Sequence, residues 1–252
     1  MSPESLLAEM MGKVTGASKG KGGSMHMTIL KNHFYGGNGI VGAQTPLGTG
    51  VGFGIKYDGK KECCLTLYGD GAANQGQLAE ASNMAKLWNL PVVYICENNL
   101  YAMGTAVHRA SANTQFYTRL NPTPGIKIDG QNIFAVREAM KTVREWCISG
   151  KGPFCMEILT YRYHGHSMSD PGLSYRSREE IAQVRKERDP IEKLKHIILE
   201  NKAATEDELK AIDKEVRSLV DDATLKARAA AWPTPEKDLL QDIMCVPEAK
   251  GK

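Results

Sequence analysis

The fold is decided by residues 63–99, which read CCLTLYGDGAANQGQLAEASNMAKLWNLPVVYICENN. The apolar runs Cys63–Tyr68 and Pro91–Cys96 predict two buried strands. A Gly-Asp-Gly turn at residues 69–71 follows the first strand, and a segment of helical periodicity comes next, for which Asn74 is a candidate N-cap. The apolar positions of that helix are Leu78, Ala81, Ala85 and Trp88. Strand, helix and strand in this order predict a right-handed parallel crossover.

Polar residues follow both strands of this unit. Parallel strands end at one edge of an open α/β sheet, where such sheets bind ligands, so we expect Asp70 and Asn99 to lie close together. A carboxylate and an amide oxygen suit Mg²⁺, and diphosphate oxygens could fill further ligand positions. Gly69 and Gly71 would let the backbone turn sharply and approach a phosphate closely. The plain alternative is an ordinary turn followed by an ordinary polar loop.

Two more strands are predicted, at residues 126–128 and 153–160, and both are followed by polar residues. Helices are expected at 44–57 and 132–149. The glycines of the first of these helices would weaken it unless another backbone or a cofactor packs very close. The sequence therefore predicts an α/β fold with a mostly parallel sheet flanked by helices.

The predicted domain boundary lies near residue 176. Residues 1–176 would form the α/β domain, and residues 177–252 would form a helical extension packed on it. Candidate capping boxes at 177–180 and 205–208 begin helices in this extension. The second helix carries a narrow apolar stripe, for which we expect docking on the chain's own core, with a partner helix as the alternative. The stripe consists of residues 209, 212, 216, 219 and 223.

Composition narrows the class of protein. The net charge of +3 is too small to indicate a nucleic-acid-binding protein. No apolar run approaches the length needed to span a membrane. The six cysteines fall mostly in apolar segments and form no Cys-x-x-Cys pair, which favours buried thiols in a reducing compartment. The residues after Met1 are not basic or serine-rich, so no targeting peptide is expected in this sequence.

Five segments together point to one family. They read GKGGSMHM at 20–27, FYGGNGIVGAQ at 34–44, LYGDGAANQGQ at 67–77, ICENN at 95–99 and YRYHGHSMSDPG at 161–172. They resemble the alpha subunit of the thiamine-diphosphate-dependent, decarboxylating component of the mitochondrial pyruvate dehydrogenase complex. The resemblance covers nearly the whole chain. Compared with the family, the sequence lacks an N-terminal part, which includes a Tyr-Arg pair that holds the diphosphate.

The resemblance implies a set of site residues. The cofactors would be thiamine diphosphate and Mg²⁺. The metal ligands would be Asp70, Asn99 and the backbone carbonyl of Tyr101. His166 would be the catalytic residue, facing the cofactor and the bound 2-oxo acid. The implied cofactor-binding residues are Gly39, Val41, Asp70, Gly71, Ala72, Asn99 and His166.

The resemblance also implies an activity and partners. The activity would be pyruvate decarboxylation with acetyl transfer to lipoamide, which leads to acetyl-CoA. The chain would act in an α2β2 heterotetramer, because a beta subunit supplies the glutamate that activates the cofactor. A lipoyl-bearing acyltransferase and a regulatory kinase and phosphatase would be further partners, in the mitochondrial matrix. Phosphorylation is implied at Ser167 and Ser174, while a third regulatory position of the family falls at Ala106, which cannot be phosphorylated.

Two other functions remain open from the sequence. One is a non-catalytic or regulatory paralogue that keeps the fold. The other is the alpha subunit of a branched-chain or acetoin-type 2-oxo acid dehydrogenase. Four histidines are expected to be structural or at the surface, and His164 is expected to anchor its loop. The four are His26, His33, His108 and His196.

Overall fold

A computed structural model describes residues 2–239, 241 and 242, and its centre is a four-stranded parallel sheet. The strands of the chain are β1 (Cys64–Gly69), β2 (Val92–Asn98), β3 (Tyr101–Ala102), β4 (Thr105–Ala106), β5 (Gly125–Asp129) and β6 (Phe154–Leu159). The sheet order is β1-β2-β6-β5, and every neighbouring pair is parallel. β3 and β4 form a separate antiparallel pair. The predicted α/β fold and its four strands are confirmed.

Helices flank the sheet. They are α1 (Pro3–Met10), α2 (Gln44–Tyr57), α3 (Gly76–Leu87), α4 (Val107–Ala110), α5 (Ile133–Trp146), α6 (Arg178–Arg188), α7 (Pro190–Glu200), α8 (Glu206–Ala229) and α9 (Pro235–Asp238). None of the helices in the described residues is long and apolar enough to cross a membrane. The cysteines at 63, 64, 96, 147 and 155 are free thiols, and Cys245 lies outside the described residues.

The core lies on both faces of β2. Tyr94 belongs to a buried cluster that includes Leu78 of α3, whereas Val93 belongs to a cluster that includes Val143 of α5. Successive side chains of a strand point to opposite faces, so one strand serves two cores. This explains why residues 92–96 read as an uninterrupted apolar run, as strands covered on both faces do.

Helix α2 lies very close to the sheet at two of its glycines. A Cβ at Gly48 would lie 2.7 Å from Cβ of Thr66, and one at Gly52 would lie 2.3 Å from Cγ2 of Val92. The close approach predicted for this helix is therefore made to side chains of the sheet. Gly50 has open space around it, so close packing does not explain every glycine of the helix.

The predicted cap of α3 is wrong. The helix begins at Gly76 after Gln75, and no side chain caps it. Asn74 instead ends a short 3-10 turn, and its Oδ1 accepts hydrogen bonds from Ser111 Oγ at 3.0 Å and Arg119 Nη1 at 2.9 Å. Tertiary donors thus compete successfully for the side chain that the local spacing assigned to the helix.

The chain divides into two compact units, residues 1–39 with 204–252 and residues 40–203. The predicted boundary at residue 176 does not coincide with this division. Thr205 opens α8 with the predicted reciprocal capping box. At 177–180 only one half of the box forms, because Ser177 accepts from the backbone N–H of Glu180 while the Glu180 carboxylate accepts from Tyr161.

The first unit contains α1 and α8, which pack against each other through small residues. Ala8, Ala223 and Ala227 are buried there. Leu209 is partly buried, whereas Ile212, Val216 and Leu219 are about half exposed, at 55%, 52% and 50%. Docking of the stripe on the chain's own core therefore holds at residue 223 and is wrong at residues 212, 216 and 219.

A buried carboxylate organises the glycine-rich stretch of the first unit. Glu9 is fully buried and accepts hydrogen bonds from the backbone N–H groups of Ser18 at 2.7 Å, Gly20 at 2.9 Å and Gly22 at 2.7 Å. A Cβ at Gly22 would lie 1.7 Å from the carbonyl oxygen of His26. The stretch therefore depends on glycine for its path and on Glu9 to satisfy its N–H groups.

Candidate active site

The candidate site lies in the second unit, where β1, β2 and β6 end side by side. Gly69 of β1 is in register with Glu97 of β2, and Asn98 of β2 with Leu159 of β6. The turn after β1, the turn after β2 and the loop at residues 160–176 therefore start at the same edge of the sheet. This is the edge at which parallel α/β sheets bind ligands.

Asp70 begins the first of these turns and is only 3% exposed. Burial raises the pKa of its carboxyl group above the ordinary value of 3.8. Hydrogen bonds from its own N–H and that of Asn99 oppose the rise in pKa, as do the charges of Arg162 and His166. The backbone N–H of Asn99 thus lies beside the Asp70 carboxylate, and the charge of His166 acts on that carboxylate from the loop after β6.

The oxygens of the second turn converge on a guanidinium. Asn99 Oδ1 accepts hydrogen bonds from the Tyr101 N–H and from Arg162 Nη1, both at 3.3 Å. The carbonyl oxygen of Tyr101 accepts from the same Nη1 at 2.8 Å. Two of the three predicted metal-ligand oxygens therefore already lie around one positive group.

This donor set fits a hard divalent cation. It comprises a carboxylate, an amide oxygen and a backbone carbonyl oxygen, and Mg²⁺ commonly combines so few protein ligands with phosphate oxygens and water. Groups of three or more His, Cys, Asp or Glu side chains that could hold a metal are absent from the described residues.

The remaining predicted cofactor-binding residues have varied surroundings. A Cβ at Gly71 would lie 2.7 Å from Cβ of Ala102, so glycine is required where the turn passes β3. Ala72 is buried at the start of the 3-10 turn. Val41 is 62% exposed. Gly39 belongs to the first unit, and the described contacts do not test its predicted role.

His166 lies on the loop after β6, which an aspartate holds. Asp170 accepts hydrogen bonds from the backbone N–H of His166 and that of Gly172, both at 2.8 Å, and from the Tyr175 hydroxyl at 2.7 Å. These donors, the His166 N–H foremost, lower the pKa of Asp170 to about 2. Asp170 is therefore an ionised anchor of the His166 loop at neutral pH.

The two predicted phosphorylation residues are accessible. Ser167 and Ser174 are both exposed, and Ser167 Oγ lies 3.1 Å from Ser169 Oγ. Ala106 lies in β4. Exposure is required for modification by another protein, and phosphorylation of Ser167 and Ser174 stays a prediction.

A buried arginine is the second organiser of this loop. Arg176 is 4% exposed and donates to the carbonyl oxygens of Arg162, His164 and Gly172. Its guanidinium also lies over three tyrosine rings, at 5.1 to 5.5 Å from their centroids. These are the rings of Tyr101, Tyr161 and Tyr175. Arg162 and Arg176 are not among the site residues predicted from the sequence, and the available signal was the density of Tyr and Arg in residues 161–176.

A parallel α/β sheet with these residues at its strand ends is typical of α/β proteins that bind a cofactor at the carboxyl ends of their strands. Among known proteins, the family model described as dehydrogenase E1 component matches residues 1–236. The chain belongs to the dehydrogenase E1 component family. The resemblance inferred from the sequence is confirmed at this level.

Curated relatives agree with the family. A probable pyruvate dehydrogenase E1 component subunit alpha, mitochondrial, of Caenorhabditis elegans is 61% identical over 94% of this chain and 59% of its own length. The corresponding Dictyostelium discoideum protein is 59% identical over 92% of this chain and 61% of its own length. The human testis-specific form is 60% identical over 94% and 61%. The chain thus spans about three-fifths of the length of these relatives.

Proposed function

We propose that this chain is the alpha subunit of a pyruvate dehydrogenase E1 component. Its activity would be the thiamine-diphosphate-dependent oxidative decarboxylation of pyruvate, with transfer of the acetyl group to lipoamide. The observation that carries this proposal is the convergence of Asp70, Asn99 Oδ1 and the Tyr101 carbonyl oxygen beside the His166 loop. The names of the relatives support the choice of pyruvate.

The metal and cofactor would be held by residues at the ends of β1 and β2. Asp70 would supply the anionic ligand to Mg²⁺, and Asn99 Oδ1 and the Tyr101 carbonyl oxygen would supply neutral ones. Gly71 has ordinary right-handed helical backbone angles, so the sharp turn expected of it from the sequence is not formed. Its missing Cβ instead lets the Asp70 turn pass close to Ala102, which would hold Asp70 in place. When bound, thiamine diphosphate would supply the stabilised carbanion chemistry that breaks the bond between a carboxylate and a carbonyl carbon.

His166 would act on the substrate side of the site. Its ring would orient the 2-oxo acid and assist transfer of the acyl group to the acceptor, and it would not bind the metal. The Asp170 carboxylate fixes the backbone at His166, so the position of the ring depends on that anchor. A catalytic side chain gains from such support, because small displacements from the productive geometry are costly in rate.

The proposed partners follow from the same assignment. A beta subunit would complete the site in an α2β2 assembly in the mitochondrial matrix, and a lipoyl-bearing acyltransferase would take the acetyl group. Helix α2 presents large apolar side chains that would suit a subunit interface, since Leu47 and Phe53 are 57% and 50% exposed.

Regulation by phosphorylation is part of the proposal. Ser167 adjoins His166, and a phosphate there would bring about −1.5 to −2 charges next to the Asp170 carboxylate. Arg162 already donates to the Tyr101 carbonyl and Arg176 to the His164 carbonyl, so capture of the phosphate by either arginine would dismantle that network. We expect the phosphorylated assembly to lose acetyl transfer while Ser167→Ala remains active. Full turnover with phosphate on Ser167 would contradict the regulatory role.

The test of the main proposal is an assembly of this chain with a beta subunit from one of the relatives. Carbon dioxide release from pyruvate is measured during titration with thiamine diphosphate and Mg²⁺. Asp70→Asn should abolish the metal-dependent release, whereas Asp213→Asn, an exposed control on α8, should not. Unchanged release by Asp70→Asn would contradict the assigned metal site, and a preference for branched 2-oxo acids would contradict the assigned substrate.

A further inference from the structure

Arg162 is fully hydrogen-bonded at the mouth of the candidate site. Its side chain is 16% exposed. Nη1 donates to Asn99 Oδ1 and the Tyr101 carbonyl, Nη2 donates to the Met103 carbonyl at 2.7 Å and the Tyr175 hydroxyl at 2.8 Å, and Nε donates to the His164 carbonyl at 3.3 Å. An arginine has five N–H donors, and all five have acceptors here.

Two of those acceptors are also the neutral oxygens assigned to the metal. A magnesium–oxygen bond is about 2.1 Å long, so an ion bound to the Tyr101 carbonyl oxygen would lie within roughly 5 Å of Nη1. A divalent cation and a guanidinium at this separation repel each other, because both are positively charged and Arg162 is only partly exposed to water. The arrangement of Arg162 around these oxygens therefore opposes metal binding.

The carboxylate of Asp170 is a second anion near the Arg162 guanidinium. Asp170 Oδ2 is 4.0 Å from Arg162 Nη2, beyond an ordinary hydrogen-bond distance. Asp170 accepts hydrogen bonds from the N–H groups of His166 and Gly172, so any change in the Arg162–Asp170 contact is felt by the backbone at His166.

We propose that Arg162 is the resident cation of this site, which holds the Asn99 and Tyr101 oxygens until a divalent metal displaces it towards Asp170. This inference rests on the proposed metal site. It makes Arg162 a positioning residue that lowers metal affinity and couples metal occupancy to the His166 loop. Movement of the Arg162 side chain would then change the conformation of the His166 loop when the metal binds.

The experiment uses Mn²⁺ as the probe, in the alpha–beta assembly with thiamine diphosphate. Free Mn²⁺ is measured by electron paramagnetic resonance, and amide hydrogen exchange is followed in the peptide that contains His166 and Gly172. We expect Arg162→Gln to bind Mn²⁺ at least about fivefold more tightly than wild type, as coupling between neighbouring sites usually gives. Metal-dependent change in exchange should be present in wild type and lost in Arg162→Gln.

Controls separate charge from support. Arg162→Lys keeps the charge but cannot bridge five acceptors, so its Mn²⁺ affinity should stay within about twofold of wild type. Arg188→Gln removes an arginine that pairs with Asp129 instead, and it should leave both measurements unchanged. Equal or weaker Mn²⁺ binding by Arg162→Gln would overturn the inference.

Two further outcomes keep the proposal open to refutation. If Arg162→Gln does not fold, the wild-type exchange measurement decides, because no response of the His166 peptide to Mn²⁺ contradicts the coupling. Asp70→Asn distinguishes this inference from the proposed function. Unchanged Mn²⁺ binding by Asp70→Asn refutes the metal site itself, whereas lost binding there without tightening in Arg162→Gln refutes only the role of Arg162.

Discussion

Two loops of this chain are wound around buried charges of opposite sign. In the first unit, the carboxylate of Glu9 accepts three backbone N–H groups from residues 18–22. In the second unit, the guanidinium of Arg176 donates to three backbone carbonyls from residues 162–172. Each loop therefore has a single charged side chain at its centre. That side chain forms hydrogen bonds with three backbone groups of the loop, which would otherwise lack partners.

The two solutions require different sequences. N–H groups can surround an anion only where the backbone comes very near, and a Cβ at Gly16 would lie 2.2 Å from Glu9 Oε2. The flat guanidinium of Arg176 instead stacks on tyrosine rings, such as those of Tyr161 and Tyr175. The loop around the buried anion thus depends on glycine beside the carboxylate. The loop around the buried cation adds aromatic rings to the glycine that it needs at residue 165, where a Cβ would lie 2.0 Å from the carbonyl oxygen of Asp170.

Removal of the anion should have the largest effect. Glu9→Ala leaves three backbone N–H groups without their acceptor, and we expect it to lower the free energy of unfolding by about 3 kcal/mol or more. Urea denaturation measures the change. Glu9→Gln keeps one acceptor oxygen and should lose less, and Glu215→Ala, an exposed control in the same unit, should lose almost nothing. Wild-type stability in Glu9→Ala would mean that the glycine-rich stretch keeps its conformation without hydrogen bonds to Glu9.

Removal of the cation should have a smaller and more local effect. Arg176→Met deletes three donors but leaves the Asp170 anchor, so we expect a local loss of about 2 kcal/mol. Amide exchange at His166 and Gly172 should accelerate, with little change in the global unfolding midpoint. Arg176→Lys keeps the charge without the planar stacking, so its amide exchange rates should lie between those of wild type and Arg176→Met. The comparison fails if the exchange of these amides is the same in Arg176→Met as in wild type.

A pH titration tests the second anchor of the Arg176 loop. The pKa of Asp170 is lowered to about 2, so its stabilising contribution is complete above the ordinary value of 3.8 and is lost as pH falls through about 2. Exchange protection of the His166 amide, corrected for intrinsic rate, should therefore stay constant from neutral pH down to about 4. Asp170→Asn should show lower protection throughout. Loss of protection in wild type near pH 5 would assign the anchor to another group.

Asp70 should be protonated at a higher pH than Asp170. Burial raises its pKa, so the carboxylate proposed to bind the metal becomes protonated at a pH above 3.8, before Asp170 does. Mn²⁺ affinity of the alpha–beta assembly should then decline on acidification while the His166 loop is still anchored. Electron paramagnetic resonance at a series of pH values measures it. Loss of affinity only below pH 3.8 would show that the carboxyl group is not destabilised by burial.

The smallest expected effect concerns a glycine with open space where a Cβ would lie. Gly23 has φ of +63°, and a Cβ there would have no neighbour within 4 Å. Gly23→Ala should therefore cost only the backbone strain of the left-handed conformation, about 1 kcal/mol. Gly37→Ala, where the nearest atom would be an ordinary 3.5 Å away, is the control and should be neutral. A loss as large as that of Glu9→Ala would place Gly23 among the sterically required glycines.

The sheet and the pairing of Asp70 with Asn99 could be predicted from the sequence, for a local reason. Apolar runs mark buried strands, and a parallel crossover brings their ends to one edge. The roles of Arg162 and Arg176 could not be predicted, because their acceptors are backbone carbonyls whose positions depend on the folded loop. Asn74 was assigned wrongly for the same reason, since Ser111 and Arg119 reach it only after folding.

The division of the chain into two units has an optical consequence. Trp232 belongs to the first unit, where the Lys13 ammonium lies 3.9 Å from the centroid of its ring, and Trp88 and Trp146 belong to the second. Replacement of the latter two by phenylalanine would leave one fluorophore, whose emission reports the first unit alone. The converse variant, Trp232→Phe, would report the second. Unfolding of each unit could thus be followed separately by intrinsic tryptophan fluorescence, without labels.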